Sequence, residues 1–322
     1  MEINPVKVKS TKILSFEQVS YLENMLRKGG PDEDEYFAFA KMVNTFDERA
    51  IEEMRNLLFP LLNNTNTVQG YAFSKPLGYA GDYMMIERIY QKQVSTNPFF
   101  KKWDIWWQKS HAATAVRNRK DYFINLMRKL EEKSMDPKRI LILGSGPATD
   151  VHEYLTRNPG SRISFDLLDL DPRAIEYARD KNKAFEDKVN FYRINVLRFN
   201  THKRYDMVWS AGLFDYFKEK HFIYLINKYL KLLNETGEMV IGNFSDNNPT
   251  QTLQEAFSDW YLNYRSEDEL LTIASNSGLK EGDVTIEKEP LGINLFMRIA
   301  LRKEIQVKTK SNIPDFEKYS EN

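Results

Sequence analysis

Four short apolar runs from residue 139 onward end in residues whose types could hold a ligand. RILILGSGP closes on Gly144, Ser145, Gly146 and Pro147, with Asp150 just beyond. Glycines there let the backbone approach a ligand and turn tightly into a helix. ISFDLLDLD closes on Asp169, Leu170 and Asp171, directly before Pro172. A carboxylate at such a place can accept hydrogen bonds from both hydroxyls of a ribose. Asp171 has the position of a helix cap, which leaves Asp169 for the ligand. VNFYRINV closes on Asn195 and Val196, and the short amide could meet an adenine amino group. YDMVWSAG closes on Ser210, Ala211 and Gly212, followed by Leu213, Phe214, Asp215 and Tyr216. Small residues there allow close approach, and an aromatic just beyond can cover a flat ring.

The glycine pattern also excludes chemistry. The Lys-Ser/Thr of a P-loop is missing, and Ala148-Thr149 stand where G-x-G-x-x-G needs its last glycine. A nicotinamide dehydrogenase is therefore disfavoured. Lys+Arg and Asp+Glu both total 46, so net charge suggests no nucleic-acid partner. There is no cysteine, hence no disulfide or thiolate nucleophile. His111, His152, His202 and His221 show no ligand spacing, so no metal is expected. MEINPVKVKSTKIL lacks the apolar run of a signal peptide. No stretch approaches the roughly 20 apolar residues of a membrane span. A cytoplasmic location and a small-molecule substrate are the expectation, with the oligomeric state open.

These segments need a scaffold. From Asp136 onward, short apolar runs alternate with helix-like stretches. That alternation implies an α/β fold with a mostly parallel sheet covered on both faces. VTIEKEP and NLFMRIALRKE read as a closing hairpin with one reversed strand. In such a sheet the ligand sits outside the carboxyl ends of the strands. The first 135 residues read as helices. Ser15 and Gln18 make a capping box, Gly29-Gly30-Pro31 stop that helix, and Asn97-Pro98 start another. The expected organisation is a helical substrate or lid domain over 1–135, a cofactor-binding domain over 136–304 and a polar tail over 305–322.

LILGSGPATD, DLLDLDPRAIEYA, INV and YDMVWSAGLFDYF, in that order, resemble the class I S-adenosylmethionine-dependent methyltransferases over about 139–303. The resemblance implies a Rossmann-like sheet of order 3-2-1-4-5-7-6 with strand 7 antiparallel. It also implies S-adenosylmethionine as cofactor, the glycine loop under its methionine part and Asp169 on its ribose. Asn195 stands where the family usually has Asp, which keeps an acceptor and removes a charge. GYAGDYMMIERIY, AVRNRKDYF and DWYLNYRSEDEL resemble a narrower bacterial group. It includes the methyltransferase of 3-hydroxypalmitic acid methyl ester biosynthesis.

The glycine turn of GYAGDYMM lies far upstream of the sheet region. Gly78 and Gly81 permit a tight turn, and Asp82 can cap the helix after it. As a lid, the turn would bring Tyr79 and Asp82 to the methyl group or the substrate. Arg117 and Arg119 lie two apart and do not share a helix face. One of them could bind a carboxylate, and Arg117 is placed with the cofactor. Catalytic candidates are Tyr79, Asp82, Asp215, Tyr216, Tyr264 and Arg265. Trp103, Trp106 and Trp107 form one stripe, read as packing between domains. The function implied is methyl transfer to a small molecule, with a fatty or hydroxy-acid carboxylate as one acceptor. A carboxylate needs no base, whereas a hydroxyl or ammonium would. Alternatives are N-methylation of an amine or protein side chain, and a cofactor-binding regulator without catalysis.

Overall fold

The computed structural model describes residues 14–300. Eight helices come first: α1 (Phe16–Arg27), α2 (Tyr36–Val43), α3 (Glu48–Leu57), α4 (Phe59–Leu62), α5 (Val68–Ser74), α6 (Tyr83–Tyr90), α7 (Pro98–Lys109) and α8 (His111–Glu132). Ser15 caps α1 in a full capping box, as its spacing with Gln18 requires. The long stretch after Asn97 is two helices. Ser110 ends the first, and its hydroxyl caps the second by accepting from the Ala113 amide.

The sheet region follows as β1 (Lys138–Leu143), α9 (Thr149–Arg157), β2 (Ile163–Asp169), α10 (Pro172–Lys181), β3 (Val189–Arg193), β4 (Tyr205–Ala211), α11 (Glu219–Leu230), β5 (Leu233–Phe244), α12 (Gln251–Ser258), α13 (Glu267–Asn276), β6 (Val284–Lys288) and β7 (Asn294–Ile299). The strand order is 3-2-1-4-5-7-6. β1 to β5 pair in parallel, and β7 runs antiparallel to both β5 and β6. This is the expected class I order. Ile140, Leu141, Ile142 and Leu143 of β1 are all buried because helices cover both faces.

The helical and sheet regions do not part cleanly at residue 135. Phe123, Ile124 and Met127 of α8 belong to the core beneath the sheet, with Ile142, Phe165 and Trp209. Conversely, Leu253, Ala256 and Phe257 of α12 pack into the core of the N-terminal helices. Arg55 of α3 fastens this join, donating to the Ala256 and Glu255 carbonyls and pairing with Asp259. Trp103, Trp106 and Trp107 surround Phe257 and Phe39, with Phe39 and Trp106 centroids 5.0 Å apart. Each such aromatic pair adds about 0.5–1.5 kcal/mol beyond area burial. The tail expected over 305–322 and residues 1–13 of the stretch read as lacking a signal peptide lie outside the described residues.

Candidate active site

The carboxyl ends of β1, β2, β4 and β5 open into one cavity of about 590 Å³, within the usual range for small-molecule sites. The glycine loop after β1 forms its floor. Gly144 and Gly146 have φ of +68° and +54°, and Ala148 also takes a left-handed conformation. A side chain at Gly146 would meet no protein atom, so its bareness leaves room for something other than protein. Asp169 closes β2. Its two carboxylate oxygens accept the amides of Gly146 and Asp171, each at 2.9 Å. Burial raises its pKa, against the pull of those amides. Leu170 projects 63% exposed beside it, an apolar surface on the ligand side. Asn195 and Val196 line the next stretch of wall. The Asn195 Oδ1 accepts from the Leu197 amide at 2.9 Å, which fixes that turn.

At the other end lie Ala211, Gly212, Asp215 and Tyr216. Ser210 points away, donating its hydroxyl to the Leu143 carbonyl at 3.0 Å and tying β4 to β1. Asp150 and Asp215 both line the cavity, and burial pushes each carboxyl up to about 6. The Asp215 Oδ1 accepts the Phe244 amide at 2.6 Å, which fixes it between the ends of β4 and β5. Arg119 reaches in from α8. A Cβ on Gly212 would lie 2.7 Å from its Nη1, so a side chain there would push the guanidinium aside, and the φ of +88° favours glycine as well. The Arg119 Nε and the Ser145 hydroxyl are buried without hydrogen-bond partners.

The upstream glycine turn is the roof. Gly81 (φ +69°) lies so close that a Cβ would come within 2.5 Å of both Trp260 and the Tyr216 hydroxyl. Tyr216 donates to the Ala80 carbonyl at 3.2 Å and accepts from Trp260 Nε1 at 2.8 Å. On the opposite wall, Tyr79 donates to Asp171 at 3.0 Å, and Arg173 donates to the Leu77 carbonyl at 2.8 Å. The turn thus bridges from the end of β2 to the loop after β4.

Of the residues singled out in the sequence, the cavity gathers Tyr79, Gly144, Ser145, Gly146, Pro147, Asp150, Asp169, Leu170, Asn195, Val196, Ala211, Gly212, Asp215 and Tyr216. Others lie elsewhere. Asp82 is 1% exposed and caps α6, accepting from Met85 N and the Tyr71 hydroxyl. Asp171 caps α10 and pairs with Arg173. Arg117 bonds Gln108 and Thr114 outside the cavity. Arg265 is buried, supporting the loop after β4 through Asn243 and the Phe217 carbonyl. Tyr264 packs edge-on to Phe244 behind the wall.

Sequence reasoning did not identify Trp260, Phe244, Leu262, Tyr83, Ile86 and Tyr90 as lining residues. It placed Arg117 rather than Arg119 with the cofactor. A signal for Arg119 was present: Val116, Phe123 and Met127 put it on the apolar face of α8. A cation on a buried stripe needs an anionic partner.

Residues 135–290 match a family model described as a methyltransferase domain. A malonyl-[acyl-carrier protein] O-methyltransferase of Ilyobacter polytropus is 30% identical over 107 residues, covering 33% of this chain and 38% of that protein. The chain therefore spans well under half the length of this curated relative. A possible exported protein of Bordetella parapertussis superposes with a TM-score of 0.58 at 16% identity, over 88% of this chain and 97% of that one. Magnesium protoporphyrin IX methyltransferase of Synechocystis, with S-adenosylhomocysteine bound, gives 0.50 at 10% identity, over 73% and 98%. These structures share the fold. Among the described residues no helix is long and apolar enough to cross a membrane. The sheet and the cavity at its carboxyl edge, together with the loops that shape them, fall largely within the span that matches a methyltransferase domain.

Proposed function

We propose that the protein transfers a methyl group from S-adenosylmethionine to a small-molecule acceptor. One observation carries the reading: the bare glycine loop, Asp169 and Arg119, whose Nε has no hydrogen-bond partner, all face one roofed cavity. The residues fit this cofactor. Asp169 would hold the ribose hydroxyls, and Leu170 and Val196 would sandwich the adenine near Asn195. Arg119 would clamp the methionine carboxylate, which its planar fork suits.

The cofactor's sulfonium supplies an already activated methyl group. The chain's task is placement. It holds the acceptor in line at about 3 Å, which can supply much of the barrier reduction. The roof of Tyr79, Ala80 and Gly81 covers one side of the cavity and, with ligands bound, would limit water there and strengthen the fields of its charged groups. Tyr216, Phe244, Trp260 and Leu262 offer the acceptor an apolar, largely aromatic wall. The apolar body of the acceptor would lie against this wall.

Calorimetric titration with S-adenosylmethionine and S-adenosylhomocysteine tests the reading, with NAD as control. Micromolar binding of the sulfur pair and none of NAD is the expected result. Binding of NAD alone would overturn it. Asp169→Ala should weaken S-adenosylhomocysteine by about tenfold or more, as lost hydrogen bonds to a charged group predict. Unchanged affinity would remove Asp169 from the ribose site.

A further inference from the structure

The acceptor's chemical class can be narrowed by the charges of the cavity, on the footing of the cofactor reading above. Among the described residues four charged side chains line it: Arg119, Asp150, Asp169 and Asp215. Three are acids, and Arg119 alone is a cation. Arg119 lies against Gly212, bonds the Tyr90 hydroxyl and faces both Asp215 and Asp150, at the end of the cavity where the glycine loop and β4 converge. There it would meet the cofactor's own carboxylate. No second cation remains for an acceptor carboxylate, whose burial without a partner is costly. Asp215 lies at the same end as Tyr216, Phe244 and Trp260, the aromatic residues available to the acceptor. Its position is fixed by the Phe244 amide on Oδ1 and by Asn263, whose backbone and side-chain amides donate to the Asp215 carbonyl.

We propose that the acceptor is an uncharged hydroxyl or amine on a flat apolar body, not a carboxylate, and that Asp215 is the catalytic base that takes its proton. The acceptor's lone pair forms the new bond to the methyl carbon. The carbon–sulfur bond breaks with its electron pair kept by sulfur. The O–H or N–H proton passes to the Asp215 carboxylate and leaves to solvent with the product. A base must be ionised to act, and its best pKa lies near the working pH. Burial raises the Asp215 carboxyl to about 6, while Arg119 on α8 and Arg265 before α13 pull it down. The phenols of Tyr216 and Tyr264 also face it. Turnover should therefore rise with pH through about 6 and level off above 7.

The test uses the full chain saturated with S-adenosylhomocysteine and three probes of matched shape: 4-ethylphenol, 4-ethylaniline and 4-ethylbenzoate. Calorimetry should show the phenol and the aniline binding about tenfold tighter than the benzoate, a gap of about 1.4 kcal/mol. Asp215→Asn keeps an oxygen for the Phe244 amide, and melting curves check that it folds. In that variant the gap should shrink to about threefold or less. Arg119→Gln should weaken S-adenosylhomocysteine itself by about tenfold. Benzoate binding as tightly as the phenol, an unchanged gap in Asp215→Asn, or no binding by any probe would overturn the proposal. So would an Arg119→Gln variant that keeps S-adenosylhomocysteine and loses only benzoate. Failure of the wild type to bind S-adenosylhomocysteine would instead overturn the cofactor reading beneath it.

Discussion

At the scale of single residues, the roof depends on one absent side chain. Gly81 sits at φ +69° with Trp260 and the Tyr216 hydroxyl where a Cβ would be. Gly81→Ala must either strain the backbone or lift the turn from Tyr216. Overpacking of this kind costs about 1–3 kcal/mol, and lifting the turn opens the cavity to water. The expected outcome is a melting temperature lowered by several degrees and a weaker S-adenosylhomocysteine titration. Wild-type values for both would show that the turn is not fixed on Tyr216 and Trp260. Gly78 is the contrast: its φ of +93° also favours glycine, but a side chain there would meet no neighbour. Sequence showed both glycines and the tight turn they permit. It could not show their different burdens, because the crowding at Gly81 comes from residues far along the chain. Which of Arg117 and Arg119 lines the cavity was hidden from the sequence for a related reason. Two residues on one helix differ in role only through which face the sheet covers, and α8 turns Arg119 toward it.

At the scale of elements, α6 carries the roof into the body of the protein. Its cap, Asp82, is bonded to Met85 N at 2.8 Å and to the Tyr71 hydroxyl at 3.1 Å. The cap was legible, because Asp before an apolar-periodic stretch is a standard helix start. The buried phenol partner was not, because α5 (Val68–Ser74) follows a polar asparagine stretch with no strong pattern of its own. Asp82→Ala removes a cap, worth about 0.5–2 kcal/mol, and leaves Tyr71 without its acceptor. The full chain should unfold at lower denaturant with an unchanged slope, and binding of S-adenosylhomocysteine at saturating concentration should persist. Lost turnover in a fully folded variant would instead give Asp82 a part in the chemistry. α12 was missed too. Its residues are mixed in polarity because it packs between Arg55 and the tryptophan cluster instead of facing a plain core and plain solvent.

At the scale of the whole molecule, the charges of the interior set a pH dependence. Asp104, Asp150 and Asp215 are each pushed up to about 6 by burial. A carboxyl raised above its unfolded value near 4 stabilises the fold fully below that value, and the contribution fades as pH rises through the folded pKa. The carboxyls lowered by ion pairing, such as Asp171 and Asp259, act in the opposite sense and below pH 4. Stability in the absence of ligand should therefore fall between pH 4 and about 6 and flatten by 7. Denaturant unfolding at pH 5 and pH 7 checks this, and greater stability at pH 7 would contradict it.

The same scale decides what can be separated. The strand alternation made the sheet legible, since each buried strand is an apolar run ending in turn residues. Its order came from the resemblance, because periodicity alone does not rank neighbours. The division at 135 was read from a change in texture, but packing crosses it twice. Phe123, Ile124 and Met127 cover the sheet from the N-terminal side, and Phe257 sits among Trp103, Trp106 and Trp107. A fragment of residues 136–300 would expose one face of the sheet at Ile142, Phe165 and Trp209, and leave α12 with a bare apolar face. Each large side chain so exposed forfeits about 1.5–3 kcal/mol, and the net stability of a domain is only about 5–15 kcal/mol. That fragment should aggregate or lack near-ultraviolet circular dichroism, while a co-expressed fragment of residues 1–135 should restore it. A cooperative thermal transition in the isolated fragment would mean that the sheet domain needs no cover from α8. The roof over the cavity would then be a separable part, able to swing without disturbing the sheet.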